Sequence, residues 1–335
     1  MRKAALLASW GYLILVLAAW LMIFFYGERW WPATMVLFGP RWIAALPLAV
    51  LLPLAAWRNR RLFFPLVFGA IVVFGPFMEL CLPFRKVQCP GGPLLRVLSC
   101  NLNSGDFNAL ALASLIQDKR ADIVALQECP RDIRLSLLPP GWQIVQEGEL
   151  AVFSRYPLRP GNSLQALHPP HHWPRTSLLY CVVQTPGGDV TFCTVHLPSP
   201  RYGLQNILDR TTFVSTSRRG LLNAETAHRW RTSQEMQRAV NALPPPVIVA
   251  GDFNMPADSA IYRKYWGDYI NAFTTTGSGY GWTEWATVRA IKVGVRIDHV
   301  LTGEGLTPSF CETGTDVGSD HLPLIAHICR VPSMH

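Results

Sequence analysis

The chain has 335 residues, of which 50% are apolar and only 16% are charged, and its formal net charge is +8. This composition excludes a disordered chain, and it excludes an ordinary soluble enzyme unless the apolar residues are concentrated in one segment. Such a segment exists, because residues 1–83 hold only seven of the 30 basic residues and two of the 22 acids. Since much of the positive charge flanks this apolar part, the net charge does not by itself indicate nucleic-acid binding.

The apolar part predicts three transmembrane helices, at about residues 4–26, 32–57 and 62–84. The first run is uncharged and long enough to cross a bilayer at about 1.5 Å per residue. Arg41 interrupts the second run, and Glu79 lies near the end of the third. A buried helical subdomain and a signal peptide are the alternatives, but no small-residue cleavage site follows the first run. Residues 85–93 are predicted to be a linker.

Basic residues indicate the orientation of these helices. Arg2 and Lys3 precede the first helix, and Arg58, Arg60 and Arg61 separate the second from the third. Three spans would put both basic groups on one side, which the positive-inside rule assigns to the cytoplasm. We therefore expect a multi-pass integral membrane protein that contacts the lipid bilayer through residues 1–84. The remaining chain would lie outside the cytoplasm, in a periplasm or beyond the cell.

From residue 94 the pattern changes to short apolar runs bounded by Gly, Pro, Asn and Asp, which is typical of strands. Strands are predicted at 95–100, 123–127, 150–153, 177–183, 190–195, 247–250, 296–301 and 322–328. Helices are predicted at about 107–119 and 222–243 from their apolar periodicity. Because strands outnumber helices, residues 94–330 are predicted to form an α/β or α+β domain with sheets as its core.

Polar residues follow or adjoin six of these strands. They are Asn101, Gln127, Glu128, His196, Asp252, Asn254, Asp298, His299, Ser319, Asp320 and His321. One such residue is usually a cap or a turn residue, but the repeated placement predicts a catalytic site presented by loops at strand ends. Carboxylate and amide oxygens suit Mg²⁺ or Mn²⁺, and histidines can transfer protons, so the set indicates hydrolysis of a phosphate ester. The sequence has no GxSxG elbow, P-loop or helix-opening GxGxxG that would indicate another chemistry.

The motifs SCNLN, LQE, TVHLP, GDFN, RIDHV and GSDHLPL occur in this order and resemble those of the endonuclease/exonuclease/phosphatase superfamily, which is DNase I-like. The resemblance covers about residues 94–328 and does not include the apolar segment. It implies an α/β fold, namely a four-layer sandwich of two packed β-sheets flanked by helices. It also implies a metal-dependent hydrolase that acts on phosphoester bonds.

The resemblance further implies a metal site. Glu128 would be the central ligand of a Mg²⁺ ion, with Mn²⁺ as an alternative, and Asn101 and Asp320 would complete the metal shell. The sequence departs from the family at Asn103, where abasic-site endonucleases usually carry an aspartate, and this makes abasic-site repair an unfavourable interpretation.

Catalytic roles follow from the same resemblance. Asp252 would orient or deprotonate the attacking water, and His196 would be the general acid. Asp298 would orient His321, which would stabilise the charge that develops on the phosphate. The residues expected to bind the substrate phosphate are Arg175, Asn254 and His321.

The sequence leaves two substrate classes open. Nucleic acid is the first, because His196 and the arginine-rich stretch 201–238 are compatible with a polyanion. A lipid headgroup, from a phospholipid, sphingomyelin or a phosphoinositide, is the second and is favoured by the membrane segment. A catalytically silent receptor or scaffold is the alternative from another class, but it would have no need for Glu128, Asp252 and His321 together.

Other residue groups carry weaker signals. Cys81, Cys89, Cys311 and Cys329 are candidates for disulfides outside the cytoplasm, but the sequence does not pair them. The run HPPHHWPR predicts a proline-broken loop near the cleft rather than a metal site. The aromatic stretch GYGWTEWA is expected to serve packing more than base stacking.

Overall fold

A computed structural model describes residues 2–58, 63–83, 87–89, 92–131, 133, 138, 140–168, 173–208, 216–288 and 291–331. Its α-helices are α1 (Arg2–Tyr26), α2 (Trp31–Leu37), α3 (Leu46–Arg58), α4 (Phe63–Val72), α5 (Ala109–Asp118), α6 (Arg201–Leu208), α7 (Thr216–Asn241), α8 (Ala260–Tyr265) and α9 (Ala272–Thr276). Its strands are β1 (Leu95–Asn101), β2 (Ile123–Gln127), β3 (Gln143–Glu147), β4 (Leu150–Ser154), β5 (Leu158–His168), β6 (Trp173–Thr185), β7 (Gly188–His196), β8 (Val247–Asp252), β9 (Ile270–Asn271), β10 (Glu284–Val288), β11 (Ile291–Val295), β12 (Asp298–Thr302), β13 (Leu306–Thr313) and β14 (Leu324–Arg330).

Two six-stranded mixed sheets form the body of the second part of the chain. The first has the strand order β13-β14-β1-β2-β4-β3, and β1 runs parallel to β2. The second has the order β5-β6-β7-β8-β12-β9, and β7 runs parallel to β8. Their inner faces share one core, in which Val97 and Ile123 of the first sheet lie with Leu179 and Phe192 of the second. Strands β10 and β11 form a separate hairpin.

Helices cover the outer face of each sheet. Leu112 and Leu115 of α5 pack with Val124 of the first sheet. Met236 of α7 packs with Val249 of the second sheet. The order of layers is therefore helix, sheet, sheet, helix, and the predicted α/β sandwich with two packed sheets is confirmed.

The prediction of three transmembrane helices is wrong. Among the described residues, Ala5–Tyr26 is the one helix that is long and apolar enough to cross a membrane. The second predicted span is bent by 86° between Trp31–Leu37 and Arg41–Ala56. It is a candidate membrane span only if the two helices cross the membrane together as one broken span. The third is a short apolar helix, Phe63–Phe77, in which Gly75 has a non-helical backbone before Pro76.

Proline and arginine explain the bend in the second stretch. Pro40 precedes a short 3₁₀ turn, Arg41–Ala45, and has no N–H with which to continue α2. The Arg41 guanidinium donates to Leu37 O at 2.9 Å and to Phe77 O at 3.0 Å, so the turn is held by a side chain. The orientation prediction also rests on Arg60 and Arg61, which lie outside the described residues.

The N-terminal helices pack directly on the sandwich. Arg41 pairs with Asp258 at 2.7 Å, and the carboxylate of Glu28, just after α1, accepts hydrogen bonds from the buried Arg229 guanidinium and from the Ser259 hydroxyl. Large apolar side chains still face outward from these helices. They include Leu7, Ile14, Leu15, Val50, Phe64 and Ile71. Exposed apolar side chains that cluster on the helices of one segment favour contact with a partner or a membrane.

A disulfide joins Cys89, which precedes the first sheet, to Cys329 in β14. Both residues belong to the four candidates from the sequence. The other two, Cys81 and Cys311, are buried free cysteines.

Candidate active site

Three neighbouring strands of the second sheet bring three of the expected residues side by side. His196 ends β7, Asp252 ends β8 and Asp298 begins β12, and the register pairs His196 with Asp252 and Asp252 with Asp298. Gly251 permits this close pairing, because a Cβ on it would lie 2.1 Å from Val195 O and its φ is +147°. A side chain at this position would collide with the neighbouring backbone, which explains the glycine in the GDFN motif.

The first sheet contributes a metal-ligand candidate from the other side. Asn101 ends β1, and Glu128 follows β2. Asn101 Nδ2 lies 3.3 Å from Glu128 Oε1 and 3.0 Å from Asp252 Oδ2, so one amide bridges the two sheets. Ser104 Oγ donates to Glu128 Oε2 at 2.7 Å. These contacts fix the carboxylates of the cleft relative to each other.

Glu128 and Asn254 are among the cleft residues with left-handed backbone conformations. Glu128 has φ of +50° and Asn254 has φ of +53°, which is uncommon for residues other than glycine. Asn254 N donates to Asp252 Oδ1 at 2.8 Å, while its Nδ2 donates to Asp252 Oδ2 at 3.0 Å and to Leu197 O at 2.8 Å. Strained backbone of this type costs about 1–3 kcal/mol per residue and is concentrated at functional sites.

Two histidines flank the Asp252 carboxylate. His196 Nε2 lies 3.7 Å from Asp252 Oδ2 and 3.8 Å from Glu128 Oε1. His321 Nε2 lies 4.0 Å from Asp252 Oδ2, and its Nδ1 lies 2.8 Å from Asp298 Oδ2. The arrangement expected for Asp298 and His321, a carboxylate that orients an imidazole, is therefore present in the geometry.

The surroundings of these groups push their pKa values in different directions. Burial lowers the pKa of His196 to about 4, so its imidazole is neutral at pH 7. Burial alone would also lower the pKa of His321, but Asp298 and Asp252 outweigh it and raise that pKa to about 10. Burial and the nearby Asp298 carboxylate raise the pKa of Asp252 well above its ordinary value. Divergent pKa values within one cleft are typical of acid–base catalysis.

Glu128 has the properties of a ligand for a hard cation. Burial by itself would raise its pKa, but the neighbouring His196 and the hydrogen bonds from Ser104 and Asn101 outweigh burial and lower it. The carboxylate is therefore ionised at neutral pH, and its side chain is 21% exposed to the cleft. An ionised, partly exposed carboxylate fits a divalent cation such as Mg²⁺. Asn101 presents its Nδ2 to Glu128, and its Oδ1 accepts from Asn103 N at 3.0 Å, so this amide oxygen would have to exchange that bond to join a metal shell.

Asp320 lies at the edge of the cleft, beside Arg201. Its Oδ2 is 3.5 Å from the Arg201 guanidinium, and it forms with Glu284 and His321 a group whose ligand atoms lie within 4.8 Å of one another. A second group of this kind contains Asp252, Asp298 and His321. Neither group includes Glu128, so the structure joins Asn101 to Glu128 but does not place Asp320 in contact with them.

Arg175 lies at the periphery of the cleft. It belongs to β6, its guanidinium lies 3.6 Å from Glu149 Oε2, and its side chain is 43% exposed. Its charge contributes to the lowered pKa of His196, which places it within electrostatic reach of the site. Arg175 also lines a surface cavity with Arg131 and Gln165. His171 and His172 of the HPPHHWPR run lie outside the described residues.

Sequence reasoning assigned no role to three residues that support the site. Thr283 Oγ1 accepts hydrogen bonds from the backbone of Ile297 and of Asp298, both at 3.1 Å. Ser319 Oγ donates to Asn101 O at 2.7 Å and accepts from His321 N at 3.1 Å. Ser319 belongs to the GSDH motif, so a signal for it was available. Thr283 and the third residue, Glu284, lie in the GYGWTEWA stretch, for which the sequence predicted a role only for the aromatic residues.

Arg229 connects the N-terminal segment to the cleft. Its Nη2 donates to Asn254 O at 2.7 Å and its Nε donates to Pro198 O at 3.0 Å, while Nη1 bonds the Glu28 carboxylate. The Arg229 and Glu28 side chains are both fully buried. Arg229 is thus unavailable to a substrate, and Arg201 of the same arginine-rich stretch pairs with Glu284. Tyr280 and Trp282 pack against the N-terminal helices, which is the packing role expected for them.

A two-sheet α/β sandwich whose strand ends present a buried carboxylate, an imidazolium and an ionised, partly exposed carboxylate is the architecture of a phosphoester hydrolase. Residues 98–321 match the model of the Endonuclease/Exonuclease/phosphatase family. The chain belongs to this family.

Solved structures share the fold at low sequence identity. The structure of D. rerio TDP2 complexed with single-strand DNA product has a TM-score of 0.51 and 16% identity, over 70% of this chain and 98% of that one. An endonuclease/exonuclease/phosphatase from Beutenbergia cavernae DSM 12333 has a TM-score of 0.50 and 18% identity, over 70% of this chain and 71% of that one. A search of curated protein sequences finds no match. At these identities the similarity concerns the fold.

Proposed function

We propose that the protein is a membrane-anchored, Mg²⁺-dependent phosphoester hydrolase in which water attacks phosphorus directly. The observation that carries this proposal is the environment of Asp252. Its carboxylate is buried, accepts amide hydrogen bonds of 3.0 Å from both Asn101 and Asn254, and lies between two imidazoles. Because its pKa is raised, Asp252 is a stronger base than an exposed carboxylate and is suited to accept a proton from water.

The metal would be held by Glu128, Asn101 and Asp320, with Mn²⁺ as the alternative to Mg²⁺. A bound divalent cation supplies charge neutralisation for the phosphoryl group during transfer. Glu128 is ionised before the cation arrives, so binding needs no deprotonation of this ligand. Glu128 and Asp320 are both partly exposed, on different loops, and each would offer a carboxylate oxygen to the cation.

The two histidines would have different roles because their charges differ. His321, protonated at neutral pH and oriented by Asp298, would donate Nε2–H to a phosphate oxygen and stabilise the developing charge. His196 is neutral at pH 7, which suits donation of an N–H hydrogen bond to the leaving oxygen more than full proton transfer. Asn254 uses both amide hydrogens on Asp252 and Leu197, so phosphate binding requires it to exchange one of these bonds.

The proposed anchor is α1, with the catalytic part outside the cytoplasm. If α1 is the span and Arg2 and Lys3 stay in the cytoplasm, the rest of the chain lies on the other side. The Cys89–Cys329 disulfide supports this orientation, since disulfides persist in oxidising compartments. We keep the division into a membrane segment to residue 84, a linker to 93 and a catalytic domain from 94. A reporter active only in the cytoplasm, fused after His335, should be silent, and its activity would overturn the orientation.

The substrate proposed from the sequence is nucleic acid, with a lipid headgroup as the alternative. The first relied on the arginine-rich stretch, and two of its arginines, Arg201 and Arg229, are paired with acids. These two arginines are therefore not free to bind a polyanionic substrate.

A substrate panel tests the proposed activity. The full-length protein in detergent would be assayed with Mg²⁺ or with EDTA against bis(4-nitrophenyl) phosphate, plasmid DNA, RNA, sphingomyelin and phosphoinositides. We expect hydrolysis of the aryl diester with Mg²⁺, none with EDTA, and loss of activity in Asp252→Asn. The matched control is Asp189→Asn, which changes an exposed carboxylate paired with Arg159. Full activity in Asp252→Asn, or none on any substrate, would contradict the proposal.

A further inference from the structure

A cavity of about 400 Å³ opens beside the catalytic cleft and is not used by the chemistry described above. Its volume lies within the range of small-molecule sites, about 300–1,000 Å³. Asn254 and Asp320 are among its lining residues, so the cavity adjoins the catalytic groups. The remaining lining is mainly apolar and includes Phe38, Leu204 and Val293.

One wall of this cavity comes from the N-terminal segment. Met35 belongs to the last turn of α2, Phe38 caps the helix, and Gly39 and Pro40 follow it. The facing walls come from α6 and from the β10–β11 hairpin. The cavity therefore exists only because the segment with the membrane-type exterior is docked on the sandwich.

The docking contacts hold this wall in place. On one side of α2, Glu28 is bound by Arg229, which also donates to the Asn254 carbonyl. On the other side, Arg41 pairs with Asp258 at 2.7 Å. The apolar wall and the catalytic Asn254 thus share one set of buried polar contacts, which fixes the distance between them.

The charge of the cavity disfavours a polyanion. Among its described lining residues, Arg201 is the one cation, and it is bonded to Glu284 and lies 3.5 Å from Asp320. A nucleic-acid strand needs several unpaired cations along its path. An apolar chain needs none, and it gains free energy when it leaves water for a cavity of this lining.

We propose that the substrate is a lipid phosphoester, with its phosphate at the catalytic cleft and its apolar chain in the cavity between α2, α6 and the β10–β11 hairpin. This rests on the proposed function. In the reaction, a water oxygen forms the new bond to phosphorus and one ester P–O bond breaks. The water proton goes to Asp252, and the departing oxygen takes a proton from the cleft or the solvent. The proposed anchor α1 would keep the protein at a bilayer, where such a lipid is available.

Chain-length dependence tests the assignment. The full-length protein in lipid nanodiscs would be assayed with ethyl 4-nitrophenyl phosphate and dodecyl 4-nitrophenyl phosphate, both below their micelle concentrations. Burial of a methylene is worth about fourfold in binding, so we expect kcat/KM for the dodecyl ester to exceed that for the ethyl ester by more than about 100-fold. A ratio below about threefold, with both esters hydrolysed, would overturn the lipid assignment and leave the proposed hydrolase intact.

A matched pair of variants distinguishes binding of the alkyl chain in the cavity from partition of the ester into the bilayer. Leu204→Trp fills the cavity from α6, and we expect it to lower the dodecyl-to-ethyl ratio at least tenfold. Leu221→Trp makes the same change at an exposed position of α7, which is outside the cavity, and should keep the wild-type ratio. Equal ratios in the two variants, or faster cleavage of plasmid DNA than of the dodecyl ester, would overturn the assignment. If neither ester nor bis(4-nitrophenyl) phosphate is hydrolysed, the proposed hydrolase activity is wrong, and the lipid assignment is wrong with it.

Discussion

Removal of the Glu28 carboxylate is expected to disturb the active site through the contacts of the N-terminal segment. The Glu28 and Arg229 side chains are both fully buried, and Arg229 also donates to the carbonyls of Asn254 and Pro198. Glu28→Gln keeps the size of the side chain but leaves a buried guanidinium without its counter-charge. Breaking one partner of a buried ion pair costs about 3–5 kcal/mol. That is a large share of a typical free energy of unfolding of about 5–15 kcal/mol.

Thermal unfolding in detergent and hydrolysis of bis(4-nitrophenyl) phosphate would be measured on the same preparations. The matched control is Glu312→Gln, which breaks the exposed Lys119–Glu312 pair of 2.6 Å and should cost less than about 1 kcal/mol. The double variant Glu28→Leu/Arg229→Met should recover part of the stability, because no unpaired charge stays buried. It should not recover kcat, because the Asn254 carbonyl has lost its donor. A cost for Glu28→Gln no larger than that of the control would refute the reasoning.

Three further changes test the roles within the cleft. Asp252→Asn removes the base but keeps its size, so kcat should fall by roughly 10²–10⁴-fold while the Mg²⁺ half-saturation stays constant in a metal titration. Because His196 would donate a hydrogen bond to the leaving oxygen, His196→Ala should cost more with an alkoxide leaving group than with 4-nitrophenolate, and equal losses would show that it only positions the phosphate. Asp298→Asn removes the carboxylate that raises the pKa of His321, so burial will lower that pKa. The alkaline fall in kcat/KM should then move to lower pH than in the wild type, and an unchanged profile would contradict the imidazolium role.

Local patterns predicted the sandwich because its strands are short apolar runs that end in polar residues. The strand predicted at 123–127 matches β2, and the one at 95–100 stops one residue before the end of β1. The polar residues at these ends converge because parallel neighbours such as β1 and β2, or β7 and β8, end at the same edge of a sheet. Apolar periodicity and the polar residues at strand ends therefore predict the cleft from the sequence.

Such local patterns do not predict contacts between residues that are far apart in the sequence. Glu28 and Arg229 are 201 positions apart, and nothing in the local sequence marks either as a buried partner. The same holds for the cavity, since Phe38, Leu204 and Val293 meet only after the N-terminal segment docks. The prediction of three membrane-spanning helices was wrong for a related reason. Hydropathy counts apolar residues, but it does not register that a proline and an arginine turn the second stretch by 86°.

A metal titration tests the central claim, a metal-dependent phosphoester hydrolase built on Glu128. Hydrolysis of bis(4-nitrophenyl) phosphate would be followed against Mg²⁺ concentration for the wild type, for Glu128→Gln and for Glu147→Gln, a control at an exposed position of β3. We predict that EDTA abolishes wild-type activity, that Glu128→Gln raises the Mg²⁺ half-saturation at least about tenfold and lowers kcat, and that Glu147→Gln matches the wild type. Activity that persists in EDTA, or the same Mg²⁺ half-saturation in Glu128→Gln as in the wild type, would contradict the claim.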